Sequence, residues 1–270
     1  MCKEKIARCD ISICMDDREL LRRWSQPTLE EGIIVGSDLT QEWLLPWWWE
    51  HYSRFNSHPV AFVDFGMSHE KKEWCKERGK WIRLPVADLF VAQKEEIDPL
   101  LVQQMEHACG KNFWPSRNAW FKKPLACLQS PFHRSLWIDL DCQINGSVQE
   151  LFSHSRSGLA MVQELWDVHP DEVRFNAGVI VFEHGLSLIE DWADQSIARN
   201  HLFRGDQDVL NAIIQEQKFN VLELPPRYNW SRLSEKNPEA IIQHWHGPQG
   251  KIEIMHQIAR ANLTSLIINH

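Results

Sequence analysis

The sequence contains no long apolar run. Charged side chains interrupt the first twenty residues, so the apolar centre of a signal peptide is missing there, and no later run approaches the length of a membrane span. The sequence also lacks an excess of positive charge, since 37 acidic residues outnumber 29 Lys and Arg and leave a net charge of −8. The overall charge therefore gives no electrostatic footprint for nucleic acid. We expect a cytoplasmic protein with no transmembrane segment and no nucleic-acid partner.

Cysteine motifs, internal repeats and low-complexity linkers are missing as well. The seven cysteines form no Cys-x-x-Cys pair, and an odd number of scattered cysteines is typical of reduced thiols. With 43% hydrophobic and 24% charged residues, the composition is that of a globular protein with a buried core. We predict one domain over residues 29–252, preceded by an extension over residues 1–28 and followed by a helical tail over residues 253–270.

Strand-like and helix-like segments alternate along the chain. Short apolar runs at residues 33–35, 60–63 and 81–84 are separated by helical patterns, which is the βαβαβ beginning used by nucleotide-binding domains. Further strands are predicted at residues 136–138, 159–162, 179–182, 221–224 and 241–243, and further helices at residues 118–129, 186–198, 206–217 and from 252 onward. The alternation predicts an α/β fold with a mixed, mostly parallel sheet flanked by helices.

The strand at residues 136–138 ends in two carboxylates, Asp139 and Asp141. Because side chains alternate along an extended chain, both can project to the same side. Paired carboxylates favour hard divalent ions such as Mg²⁺ or Mn²⁺, and a cation held there suits a diphosphate. The spacing alone is weak, because about one Asp-x-Asp triplet is expected by chance, and a second one occurs at Asp206 and Asp208. Whether Asp139 and Asp141 indicate a metal site therefore depends on the motifs found elsewhere in the chain.

Four segments follow one another in an order that chance would rarely produce. They are Trp-Ile-Asp-Leu-Asp at residues 137–141, Phe-Asn-Ala-Gly-Val at 175–179, Asp-Gln-Asp at 206–208 and His-Trp-His-Gly-Pro at 244–248. With these motifs the chain resembles the family 8 retaining glycosyltransferases, such as glycogenin and bacterial galactosyltransferases, from about residue 32 to residue 251. The resemblance implies a GT-A fold and transfer of a hexose from a nucleotide diphosphate sugar, with UDP-sugars favoured and configuration retained. It also implies Mn²⁺, or Mg²⁺, on the diphosphate.

The metal ligands implied by the resemblance are Asp139, Asp141 and His244. His244 stands three residues before Gly247, as in the His-x-x-Gly-x-x-Lys ending of the family, and neutral imidazole is a suitable ligand for Mn²⁺. His246 is the alternative ligand. Lys251 departs from the pattern, because it follows Gly247 by four residues rather than three.

The resemblance also implies a set of donor contacts. They are Gly36, Ser37, Asp38, Lys122 or Lys123, Asp139, Leu140, Asn176, Ala177, Gly178, Gly247 and Lys251. Gly178 would let the backbone and the donor approach closely. The family commonly has a base-stacking tyrosine three residues after the Asp of the first strand, whereas this chain has Gln41, with Trp43 two residues further on. The base of the donor is therefore left open.

Four residues are implied to lie at the reacting sugar, namely Gln163, Glu164, Asp206 and Gln207. Asp206 would hold sugar hydroxyls, and Gln207 would lie near the reacting carbon. A carboxylate nucleophile provides a double-displacement route, for which Glu164 is the candidate. If Gln163 faces the sugar instead, attack from the face of the leaving group is favoured. Because side chains alternate along a strand, only one of these two residues can face the sugar.

Two alternatives belong to other functional classes. A catalytically silent nucleotide-sugar-binding or interaction protein could use the same fold, because a fold does not guarantee an activity. A metal-dependent phosphohydrolase of the haloacid dehalogenase type also carries Asp-x-Asp after an apolar strand, but on its first strand, whereas Asp139 lies mid-chain. The sequence predicts neither the acceptor, whether glycan, lipid or protein, nor the oligomeric state.

Overall fold

A computed structural model describes residues 23–84, 91–164 and 173–268 of the chain. Of residues 155–157 and 262–268 it describes the backbone alone. Most of the predicted N-terminal extension, residues 1–22, lies outside these ranges. None of the helices within them combines the length and the apolar character needed to cross a bilayer. The predicted domain boundaries stay predictions.

Ten strands are found in the described ranges. They are β1 (Leu29–Ser37), β2 (Val60–Asp64), β3 (Lys80–Arg83), β4 (Phe132–Ile138), β5 (Cys142–Ile144), β6 (Leu159–Gln163), β7 (Phe175–Glu183), β8 (Leu222–Glu223), β9 (Trp230–Ser231) and β10 (Ile242–His244). Seven of them form the main sheet in the order β3-β2-β1-β4-β7-β6-β8. Strands β1 to β4 are parallel, β7 is antiparallel to β4 and β6, and β8 is parallel to β6. The sheet is therefore mixed and mainly parallel, as predicted.

Helices cover both faces of this sheet. They are α1 (Leu44–Phe55), α2 (His69–Lys76), α3 (Pro99–Cys109), α4 (Trp114–Leu128), α5 (Ser187–Arg199), α6 (Asp206–Gln217) and α7 (Gly247–Ile268). Along β1, Ile34 packs into the core on one face while Ile33 and Val35 pack into the core on the other, and all three are fully buried. A strand buried on both faces requires an uninterrupted apolar run, which is why the strands of this sheet were visible in the sequence.

Several elements differ from the sequence prediction, and the short strands β5 and β9 were not predicted. Helix α3 was missed, although Asp98 caps it by accepting hydrogen bonds from the N–H groups of the second and third helical residues and Pro99 occupies its first position. Helix α4 begins four residues before the helix predicted at residues 118–129, and it contains Pro124. Strand β7 begins at Phe175 rather than Val179, so the Asn-Ala-Gly segment belongs to a strand and not to a turn before it.

A second, three-stranded sheet has the order β5-β10-β9. In it, His244 pairs with Cys142 in antiparallel register. The N–H group of Trp245 also donates to the carbonyl of Asp141 at 2.8 Å. This small sheet therefore brings a C-terminal segment against the residues that directly follow β4.

Candidate active site

The candidate site lies at the carboxyl end of β4, in the middle of the main sheet. The N–H group of Asp139 donates to the carbonyl of Gly178 at 2.8 Å, so the chain stays attached to β7 just beyond the last residue of β4. At β4 the sheet changes from parallel to antiparallel pairing. Open α/β sheets bind ligands outside the carboxyl ends of their strands, and the predicted metal and donor residues after β4 occupy such an edge.

A buried cation lies between two of the predicted carboxylates. Lys123 Nζ is 3.0 Å from Asp139 Oδ1 and 3.4 Å from Asp206 Oδ2, and it donates to the carbonyl of Ala177 at 3.1 Å. Trp137 Nε1–H also donates to Asp139 Oδ1, at 2.7 Å. Burial opposes the charge of Lys123, but the two carboxylates outweigh it and raise the pKa of this lysine. Of the two candidate lysines, it is therefore Lys123 that reaches the Asp139 carboxylate.

The second carboxylate of the pair has its own partners. Asp141 Oδ1 lies 3.3 Å from His244 Nε2, and Asp141 Oδ2 accepts a hydrogen bond from Lys251 Nζ at 2.8 Å. Burial opposes the charge of Asp141, but Lys251 and His244 outweigh it and hold the pKa of this carboxyl well below its ordinary value. The extra residue before Lys251 is absorbed in the first turn of α7, so the lysine still reaches the carboxylate.

Asp141, Cys142 and His244 form a possible metal-binding group in the described part of the chain. Their ligand atoms lie within 4.8 Å of one another. Burial keeps the pKa of the Cys142 thiol well above its ordinary value, and a protonated thiol is no ligand for a hard cation. The carboxylate and the imidazole fit Mn²⁺, whereas Asp139, whose carboxylate contacts Lys123 and Trp137, is not part of this group. Two of the three predicted ligands, Asp141 and His244, therefore lie together.

His246, the alternative ligand, has other partners. Its Nε2 is 2.7 Å from Ser231 Oγ, and its carbonyl accepts a hydrogen bond from Arg232 Nε at 2.6 Å. Burial is the main cause that lowers the pKa of His246 to about 3, and the neighbouring His244 and Arg232 side chains lower it further. The structure thus brings His244, and not His246, against Asp141.

Glycine is required at position 178 because the His244 ring lies directly against the backbone there. A Cβ atom added to Gly178 would lie 2.3 Å from Cε1 of His244 and 2.9 Å from Oδ1 of Asn176. The group that approaches this backbone is the imidazole ring. Gly247 has a different reason, because it opens α7 with a φ of 77°, a conformation that favours glycine.

Glu164, rather than Gln163, lies with the other predicted catalytic residues. Glu164 Oε2 accepts a hydrogen bond from Gln207 Nε2 at 3.0 Å, and Oε1 accepts one from Asn176 Nδ2 at 3.4 Å. Gln207 Oε1 in turn accepts the N–H group of Ala177 at 2.9 Å. Burial raises the pKa of Glu164, although Arg174 and these amides oppose the shift. A carboxylate therefore lies beside the Asn-Ala-Gly segment of β7.

Asp206 is the first residue of α6, but its carboxylate does not cap that helix. Among the described residues Asp206 Oδ2 has no hydrogen-bond partner, although it is buried and forms the ion pair with Lys123. Burial raises the pKa of Asp206 to about 6, against the opposing charge of Lys123. A buried acceptor without a donor is rare in folded proteins and is available to a ligand hydroxyl. Asp208, two residues on, pairs instead with Arg174 at 2.7 Å.

The residues at the end of β1 that were predicted to contact the donor are largely engaged in contacts within the protein itself. Gly36 leaves room for the ring of Phe65, which would lie 2.2 Å from an added Cβ. Ser37 is buried, and Asp38 Oδ1 accepts the N–H groups of Thr40 and Gln41, both at 2.9 Å. This edge therefore forms a tight turn around Asp38. Leu140, between the two carboxylates, is a buried core residue.

A cavity of about 180 Å³ lies at the ends of β2 and β3. It is lined by Asp64, Phe65, Gly66, Lys72, Arg83, Leu84 and Lys122. Lys122 Nζ donates to the carbonyl of Phe65 at 2.9 Å, and Lys72 pairs with Asp64 at 3.1 Å. Lys122 thus belongs to this neighbouring cavity, whereas Lys123 belongs to the carboxylate cluster.

Two residues of the site were missed in the sequence. Trp137 was seen only as part of a strand, although its indole N–H contacts Asp139. Asn229, which is buried and bonded to both Asn176 and His244, lies between the strands predicted at residues 221–224 and 241–243, where no site residue was predicted. Asparagine is common in turns, so nothing in the local sequence separates a buried network residue from an ordinary turn residue.

Comparison with known proteins shows the fold. No protein-family profile and no curated protein sequence matches this chain. Among solved structures, the galactosyltransferase LgtC, in complex with donor and acceptor sugar analogues, is similar with a TM-score of 0.52 and 14% identity over 80% of this chain and 87% of that one. Mouse xyloside xylosyltransferase 1 matches with a TM-score of 0.50 and 15% identity over 80% of this chain and 97% of that one.

A third similar structure is the bifunctional glycosyltransferase WbbM, with a TM-score of 0.50 and 12% identity over 83% of this chain and 47% of that one. These neighbours are glycosyltransferases of the GT-A type, so the GT-A fold that the resemblance implied is confirmed. At such low identity the likeness extends to the fold alone. Membership of family 8 stays a prediction.

Proposed function

We propose that this protein is a metal-dependent glycosyltransferase that moves a hexose, with retention, from a nucleotide diphosphate sugar to an acceptor. One observation carries the proposal. On a GT-A fold, the clusters Lys123–Asp139–Asp206 and Asp141–His244–Lys251 meet at the end of one central strand. Carboxylates and an imidazole can bind a divalent ion, and two neighbouring lysine ammonium groups can bind the diphosphate that the ion contacts. UDP is the favoured nucleotide, and this preference rests on the sequence resemblance.

Asp141 and His244 would hold the divalent ion, and Asp139 would join them by releasing Lys123. A bound divalent ion would supply Lewis-acid stabilisation of the charge that develops on the leaving diphosphate. Lys123 and Lys251 are the chain's own cations at this place. Once either ammonium exchanges its carboxylate for a phosphate oxygen, its charge counters the charge of the leaving group.

The unpartnered Oδ2 atom of Asp206 is the proposed acceptor for a hydroxyl of the donor sugar. Its ion pair with Lys123 holds the carboxylate in position, and its place at the start of α6 puts it next to Gln207. Sugar hydroxyls donate hydrogen bonds, so a hydroxyl of a bound sugar would supply the donor that this buried carboxylate oxygen lacks.

Glu164 is the proposed nucleophile. Its carboxylate is oriented by amide donors from Gln207 and Asn176, which lie on two other elements, α6 and β7. Attack by this carboxylate on the anomeric carbon would displace the nucleoside diphosphate and invert the centre. Attack by the acceptor hydroxyl would then invert it again, which gives overall retention. Gln163 forms none of these contacts.

Lys251 competes with a cation for Asp141, and this competition predicts the effect of one substitution. Replacing Lys251 by Met removes the ammonium but keeps most of the unbranched side chain, so Mn²⁺ affinity without donor should rise on the order of tenfold while donor affinity falls. Titration calorimetry with MnCl₂ and with UDP measures both changes. Lys236→Met, at an exposed lysine, is the control. Unchanged or weaker Mn²⁺ binding by the Lys251 variant would contradict the competition.

A thermal-unfolding panel tests the proposed function as a whole. The purified chain is heated with each of several nucleotide sugars, with and without Mn²⁺. A true donor raises the melting temperature by mass action, and the increase should require the metal. Slow hydrolysis of the same donor should follow, because an active transferase also passes the sugar to water at a low rate. Stabilisation without hydrolysis would favour the silent-binder alternative, and no stabilisation by any nucleotide sugar would refute donor binding.

A further inference from the structure

A chain of buried amides connects the proposed nucleophile with the proposed metal ligand. Asn229 directly follows a short 3₁₀ turn, Pro226–Tyr228, and is 1% exposed. Its Nδ2 donates to Asn176 Oδ1 at 2.8 Å, and its Oδ1 is 2.9 Å from His244 Nδ1. Asn176 in turn contacts Glu164. Nothing in the proposed function so far assigns a role to Asn229.

The orientation of each amide in this chain follows from its partners. The backbone N–H of Gly178 can only donate, and it lies 2.9 Å from Asn176 Oδ1, so that atom is the oxygen and an acceptor. The atom of Asn229 that reaches the same oxygen must therefore be the amide nitrogen. It follows that the carbonyl oxygen of Asn229 faces His244, and that Nδ1 of this imidazole carries a hydrogen.

We propose that Asn229 is the positioning residue that fixes Nδ1–H on His244 and so reserves Nε2, the nitrogen next to Asp141, for the cation. The inference rests on the proposed function, because it takes His244 as a metal ligand. A ligating histidine usually donates its other ring N–H to an acceptor, which sets the tautomer and the ring plane. Here a neutral amide is the acceptor, and its own orientation is set by β7 through Asn176.

Burial and packing make this arrangement stiff. The imidazole lies against the Gly178 backbone, where even a Cβ would collide with it, and Asn229 closes the other side. A ring flip would break the contact between Nδ1 and Asn229 Oδ1, so these contacts favour the orientation that presents Nε2 to the cation. Since Asn176 also lies beside the proposed donor sugar, one network aligns the metal ligand and the sugar site.

Three variants separate a positioning role from a structural one. Asn229→Leu removes the acceptor, and Mn²⁺ affinity, measured by electron paramagnetic resonance of the free ion, should fall by about 10- to 100-fold. Asn229→Asp keeps an oxygen facing Nδ1 but loses the donor to Asn176 Oδ1, so its affinity should fall by clearly less than that of Asn229→Leu. Asn200→Leu is the matched control, since Asn200 is similarly buried and its side chain bonds to backbone groups of Ser196, Ile197 and Ala92, outside this amide network.

The proposal is overturned if Asn229→Leu binds Mn²⁺ as the unaltered protein does, if both Asn229 variants lose affinity equally, or if Asn200→Leu loses as much. A second readout needs no metal. In ¹⁵N NMR of the unaltered protein, Nδ1 of His244, assigned by its loss in His244→Gln, should carry a hydrogen, and an unprotonated Nδ1 refutes the inference directly. If the unaltered protein binds no Mn²⁺, the metal part of the proposed function fails, and the NMR result still decides the role of Asn229.

Discussion

Replacing Asp139 by Asn is expected to abolish metal-dependent donor binding and to lower hydrolysis of the donor by about 1,000-fold. The substitution keeps the shape of the side chain but removes the charge that a cation needs, and loss of Lewis-acid stabilisation is worth several kcal/mol of transition-state energy. It also leaves Lys123 with Asp206 as its one remaining carboxylate partner in the described part of the chain. Calorimetry with UDP, with and without Mn²⁺, measures binding, and release of free sugar measures turnover.

The control for this prediction is Asp98→Asn. Asp98 caps α3 at an exposed position, and Asn caps helices as well as Asp does, so neither stability nor binding should change. If Asp139→Asn binds donor in a Mn²⁺-dependent manner as tightly as the unaltered chain does, the assignment of Asp139 to the metal is wrong. The site would then have to bind through Asp141 and His244 alone.

Replacing Glu164 by Ala should lower transfer and hydrolysis by at least about 1,000-fold, because a nucleophile has no substitute in a double displacement. Donor affinity should change little, since the diphosphate is bound at the other clusters. Added azide should restore turnover, because a small anion fits where the carboxylate was and displaces the nucleoside diphosphate. The product would be a glycosyl azide with the configuration opposite to that of the donor, which NMR identifies.

Glu183→Gln, at the exposed far end of β7, is the control for this variant and should keep full activity. Residual turnover above a tenth of the original, or a product of unchanged configuration with azide, would contradict the role of Glu164. Attack from the face of the leaving group would then be the better mechanism. Glu164 would in that case orient Gln207 without touching the anomeric carbon.

Local sequence was sufficient for most of the sheet and helices. The strands around Ile33 and Leu136 are buried on both faces, so their apolar runs are uninterrupted and stand out from the flanking polar segments. Helix α3 was missed because it is amphipathic and largely solvent-exposed, with Met105 as its one buried residue among those described. Its start signals, Asp98 and Pro99, are visible in hindsight, but such pairs also begin turns.

By itself, the sequence determined which chemical groups are available and which strand presents the first carboxylate pair, because side-chain alternation is a local property of an extended chain. Only the tertiary structure decided which lysine reaches Asp139 and which histidine reaches Asp141. It also decided that Glu164, rather than Gln163, accepts hydrogen bonds from the side-chain amides of Asn176 and Gln207. The physical reason is sequence distance. Lys251 meets Asp141 across 110 residues, and no local pattern encodes the strand register that brings such partners together.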